Sequence, residues 1–96
     1  MQFVITAYDG EDEGAQQRRQ NARQAHLENA EKLKEAGHLI AGGAILGDNE
    51  EMIGSTMYVD FESRDALNEW LLNDPYVTQG VWEDIAIQQI RLAISL

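Results

Sequence analysis

The sequence predicts an α+β domain of the ferredoxin-like type, an antiparallel sheet with two helices on one face. Three observations lead there. Strand-forming and helix-forming segments follow one another in the order β-α-β-β-α-β, which fits a split βαβ arrangement. The chain has 96 residues, enough for one core, so residues 1–96 are read as a single domain. The first two strands are apolar on both sides, whereas a sheet with one face in water alternates polar and apolar residues.

Each element has its own signal. From Phe3 to Tyr8 the residues FVITAY are β-branched, small or aromatic, and the acids and glycines of DGEDEG then end the strand. Between Gly14 and Ala36 the chain holds neither Pro nor Gly and is rich in Ala, Gln, Arg, Glu, Lys and Leu, all good helix formers. Gly37 supplies the cap at its end. HLIAGGAILG, His38 to Gly47, reads as a second strand, GDNEE as its turn, and MIGSTMYVDF as a third strand paired with it. Gly42 and Gly43 weaken the second strand and imply a bulge there or close approach by another backbone or a ligand. Ser63 is placed to cap a second helix whose buried stripe is Leu67, Trp70 and Leu71, and Pro75 stops that helix at Asp74. The last strand is expected over Val81 to Ile94. Its apolar residues change phase between Ile87 and Ile90, which predicts a bulge near Gln88 and Gln89. Two helices cannot cover both faces of this sheet, so the second face is expected to pack on another copy of the chain, as a two-fold homodimer.

Composition narrows the function classes. Seventeen Asp plus Glu against seven Lys plus Arg give a net charge of −10, which repels phosphate backbones and anionic lipid, so neither nucleic acid nor a membrane is an expected partner. The opening MQFVITAYDG has no basic leader and its apolar run is short, so a cytoplasmic location is expected. There is no Cys, and the two histidines are twelve residues apart, which matches no metal-ligand spacing. Five of the seven basic residues, Arg18, Arg19, Arg23, Lys32 and Lys34, fall in the first helix.

Within that helix, His26 points at the core: at 3.6 residues per turn Ala22, Ala30 and Leu33 all fall close to its direction. Arg19 continues the same stripe and Arg23 lies at its margin. Asp74, four residues after Trp70 and three after Leu71, falls on the apolar side of the second helix. Two readings are open for each. His26 is either a core histidine bonded to a backbone carbonyl or a base whose tautomer is fixed by Asp74, and Asp74 either forms an Asx-turn over Tyr76 or pairs with His26. His38, at the start of a strand, is expected to face solvent and is given no role.

The segments ARQAHLENAEKLKEAG, IGSTMYVDFES and LLNDPYVTQGVWEDI together resemble the YciI-like (YCII-related) family, with R-x-x-H-L on the first helix and D-P-Y after the second. The resemblance covers nearly the whole chain. It implies a dimeric α/β barrel of ferredoxin-like subunits and a cleft with a His and Asp pair, carried here by His26 and Asp74. Arg23 matches the motif arginine, Ser55 lies in G-S-T, and Tyr76 completes D-P-Y. Many relatives have Gly-Pro at the end of the second strand, where this chain has Gly43 and Ala44.

The resemblance further implies proton-transfer chemistry without metal or redox cofactor, since the family includes a cofactorless dehydrochlorinase of a chlorinated hydroxyhydroquinone. On that basis the chain is expected to be a small lyase of aromatic catabolism. His26 and Asp74 would be catalytic; Arg23, Ser55, Tyr76, Tyr8 and Gly43 would bind a hydroquinone-type substrate. A cofactorless lactone or enol isomerase, and a binding module with Tyr8, Tyr76 and Trp82 as apolar walls, are the alternatives.

Overall fold

The computed structural model describes residues 1–94. Its elements are β1 (Gln2–Asp9), α1 (Ala15–Glu35), β2 (Leu39–Leu46), β3 (Met52–Asp60), α2 (Arg64–Leu72), a single helical turn α3 (Pro75–Thr78) and β4 (Trp82–Ile90). The four strands form one antiparallel sheet in the order β2-β3-β1-β4 with the helices on one face, the ferredoxin-like arrangement expected. Among the described residues no helix is long and apolar enough to cross a membrane.

Local chemistry explains the helix ends. The Ser63 hydroxyl accepts from the Ala66 N–H at 3.0 Å, and Asp65 sits in the first turn of α2. Ala36 caps α1, and Gly37 follows with φ +83°, the left-handed turn that glycine enters without steric cost. Pro75 does not simply end the second helical segment. It occupies the first position of α3, where its missing N–H is no loss, and Asp74 caps that turn.

Phe3, Ile5 and Ala7 of β1 and Met57 and Val59 of β3 form the sheet side of the core, packed against Ala22 and Leu33 of α1, Leu67 and Leu71 of α2, and Tyr76 of α3. Gly54 is fixed by close approach, because a Cβ there would collide with the carbonyl oxygen of Ala7. The opposite face carries Val4, Thr6, Tyr8, Thr56 and Tyr58, and none of the described elements packs over it: Tyr8 is 46% and Tyr58 37% exposed.

Four expectations are corrected. β4 ends at Ile90 because β1 offers no partner beyond Gln2, so Leu92 and Ile94 lie outside the strand. The irregularity in this ladder falls at Glu83, between the Tyr8–Asp84 and Asp9–Trp82 pairs, and Gln88 and Gln89 pair regularly with Val4 and Phe3. In β2 the ladder slips at Ile40 and beside Leu46, while Gly42 and Gly43 pair in register with Met57 and Thr56. His38 is half-buried instead of solvent-facing: its ring stacks on Phe61 at 4.8 Å and its Nδ1 lies 2.8 Å from the Asp60 carbonyl oxygen.

Candidate active site

The site is assembled where α3 meets the middle of α1. Asp74 is 0% exposed, and its two carboxylate oxygens take three contacts: His26 Nδ1 at 2.8 Å, Asn29 Nδ2 at 2.9 Å and the backbone N–H of Tyr76 at 3.0 Å. The two readings of Asp74 therefore hold at once. The Asx-turn over Tyr76 fixes the carboxylate, and the fixed carboxylate meets the imidazole. An ionised carboxylate only accepts, so Nδ1 carries a proton and Nε2 is left as the acceptor of the neutral ring. Among the described residues Nε2 has no partner and no buried side-chain nitrogen or oxygen lacks one, so Nε2 is the open edge of the imidazole.

That edge belongs to a cleft of about 450 Å³ between α1 and β2, lined at one end by Arg19, Arg23, His26, Ser55 and Tyr76. The His26 ring lies on the Tyr76 ring with centroids 3.8 Å apart and planes inclined by 10°, and Trp82 meets it edge-on at 5.6 Å. Burial pushes the Tyr76 phenol up from its ordinary value, with the Arg19 and Arg23 charges opposing that shift.

Beneath these groups runs a buried ionic network. Arg19 donates from Nε to Asp9 Oδ2 at 2.6 Å, and from Nη2 to Asp9 Oδ1 at 3.1 Å and Ser55 Oγ at 2.8 Å. Its guanidinium carbon stands 4.7 Å from the centre of the Tyr76 ring. The indole N–H of Trp82 also donates to Ser55 Oγ, at 3.1 Å. Both lone pairs of that hydroxyl are thus occupied, so its proton is free to donate toward the cleft.

The structure brings His26, Arg23, Ser55 and Tyr76 together around this cleft, with Asp74 buried behind His26. Gly43 reaches it through backbone alone; a Cβ on Gly43 would meet nothing, whereas Gly42 faces Met57 and Leu39 on the helix side. Tyr8 is not part of the site. Its side chain is on the open face of the sheet, alternate to the buried Ala7, and it borders a different hollow formed by the acidic loop after β1. Two contributors are additions: Asn29, one helical turn beyond His26 and so findable from spacing, and Asp9, which no local pattern distinguishes from the acids that follow it.

Residues 1–91 match the YCII-related domain. The chain belongs to the YCII-related family. Protein YciI of Escherichia coli O6:H1 is 32% identical over 97 residues, covering 95% of this chain and 97% of YciI. A second relative by sequence, the derivative of benzaldehyde biosynthesis cluster protein C of Emericella nidulans, is 37% identical over 67 residues, spanning 62% of this chain and 68% of that protein. Among solved structures, the 5-chloro-2-hydroxyhydroquinone dehydrochlorinase TftG of Burkholderia phenoliruptrix, in complex with 2,5-dihydroxybenzoquinone, aligns with TM-score 0.83 and 29% identity over 95% of this chain and 94% of TftG. A dimeric ferredoxin-like protein of unknown function from Jannaschia sp. CCS1 aligns with TM-score 0.57 at 14% identity, a likeness of fold alone.

Proposed function

We propose that this chain is a cofactor-independent lyase that removes HCl from a chlorinated hydroxyhydroquinone, with His26 as the proton carrier and Asp74 as its anchor. The observation that carries the reading is the polarised imidazole: Nδ1 held 2.8 Å from a fully buried carboxylate, Nε2 open to a cleft that also presents Arg23 and Ser55. The likeness to TftG supports the choice of substrate class.

The reaction balances with protons alone. Nε2 takes the proton of the hydroxyl beside the C–Cl carbon, and that carbon receives a proton as the neighbouring C–O becomes a carbonyl. The hydroxyl para to the first then loses its proton to Nε2. Its electron pair forms the second carbonyl, the ring double bond shifts, and chloride leaves with the C–Cl pair. The sum is a hydroxyquinone, one proton and one chloride. Arg23 and the Ser55 hydroxyl stabilise the transient oxyanion, Ser55 with the only hydrogen it has left to give. A second copy of the chain, packed on the face that carries Tyr8 and Tyr58, would complete the unit as a homodimer; light scattering should then return twice the chain mass.

General-base catalysis contributes about 10²- to 10⁴-fold. With 5-chloro-2-hydroxyhydroquinone, chloride release should therefore fall by about 10²-fold or more in His26→Ala and Asp74→Asn. Release that is absent in the native chain, or equal in the native chain and the variants, overturns the reading.

A further inference from the structure

The cleft is longer than a single ring needs. Arg19, Arg23, Ser55 and Tyr76 form its polar end; beyond His26 it continues between Leu27 and Ala30 on α1 and Leu39, Gly42 and Met57 on the sheet. The register gives its extent. Ala44 and Ser55 pair across the sheet at the polar end, Gly42 and Met57 pair next, and Leu39 pairs with Val59 beyond them. From Ser55 to Val59 is four strand residues, about 14 Å at 3.4 Å each. A ring that brings one oxygen to His26 Nε2 occupies only the near part of that length.

The far part exists because the facing side chains are too small to fill it. Ala30 stands on the helix and Gly42 on the strand, and protein interiors close such gaps at a cost to stability when they are left open. Its surface is apolar, formed by Leu27, Ala30, Leu39 and Met57. One carboxylate, Glu31, lies at the rim. It disfavours an acidic group there, and the apolar walls of Leu27, Leu39 and Met57 disfavour burial of any charge, so the occupant is neutral.

We infer that the natural substrate is a phenol carrying a neutral apolar substituent, an alkyl or second-ring group, which lies between Ala30 and Gly42, and that Gly42 sets how long that group can be. This rests on the proposed site for the placement of the phenolic oxygen at His26, but its test is of binding and does not require turnover. Gly42 is a useful probe because a Cβ there would stand 3.4 Å from Met57 Cγ and from the Thr56 carbonyl oxygen, ordinary contact distances, and a side chain favours a strand over glycine.

The experiment is calorimetric titration of the native chain with hydroquinone and with n-butylhydroquinone. Each buried methylene strengthens binding by about three- to four-fold, so the butyl compound should bind at least about 30-fold more tightly. In Gly42→Leu the ratio of the two affinities should fall at least tenfold. Ala30→Leu, which fills the same space from the helix with a good helix former, should do the same and decides the matter if the strand variant does not fold. Equal affinities in the native chain, or a ratio unchanged in the folded variant, overturns the inference. Tight, Gly42-dependent binding of the butyl compound without chloride release from a chlorinated analogue would instead defeat the dehydrochlorination reading alone.

Discussion

The imidazole of His26 lies flat against the phenol ring of Tyr76, 3.8 Å between centroids and 10° between planes. The same tyrosine presents its backbone N–H to Asp74, so one residue sets both the plane of the imidazole and the position of its carboxylate partner. Tyr76 is also in the core, 2% exposed. Replacing it by Ala should cost about 3–5 kcal/mol in a urea melt. Tyr76→Phe keeps the stack and gives up only a long 3.4 Å contact from Arg19 Nη1, so its cost should stay below about 1.5 kcal/mol.

Burial raises the Tyr76 phenol above its ordinary value of 10.0. The folded state holds this proton more firmly than the unfolded chain does. The associated stability is present below pH 10.0 and is lost as pH rises through the folded value. In Tyr76→Phe the alkaline fall of stability should be shallower than in the native chain, as read by melting temperature across that range.

Asp9 and Arg19 form an ion pair with both side chains nearly inaccessible, 4% and 2% exposed for Arg19 and Asp9. Removing one partner leaves the other charge buried and alone. Asp9→Ala should destabilise the fold by about 3–5 kcal/mol. If Arg19 also holds Ser55 in place for chemistry, Asp9→Asn, which retains part of the hydrogen bonding, should lose turnover by a larger factor than it loses substrate affinity.

Ser55→Ala removes the hydroxyl proposed to donate to the oxyanion and leaves Arg19 and Trp82 short of an acceptor. Loss of a single such donor lowers turnover by about 10²- to 10³-fold, and KM should change far less. Ser55→Thr, which keeps the hydroxyl, should recover a measurable part of that loss in the chloride assay.

The hydrogen bond from Arg18 holds the Asp12 carboxyl at about 2, below its ordinary 3.8. Because the folded value is the lower one, the stabilisation is present above 3.8 and is lost as pH falls through about 2. Asp12→Asn should flatten the acid limb of the stability profile in that window, and added salt should shrink the difference because the pair is exposed.

Local rules carried the sequence reading a long way. Strand and helix order, the Ser63 cap, the left-handed Gly37 that ends α1 and the inward direction of His26 all follow from spacing and backbone preference, because each depends on residues a few positions apart. The motif order also pointed to His26 with Asp74, 48 positions apart, although only the fold shows the 2.8 Å that separates them. Tyr8 was misplaced for a physical reason: β1 is apolar on both faces, so alternation fixes that Tyr8 opposes Ala7 but not which of the two meets the helices. The bulges at Ile40 and Glu83 depend on where partner strands begin and end, and the Asp9–Arg19–Ser55 network joins β1, α1 and β3. Such contacts are decided by the packing of whole elements, which no short window of the chain contains.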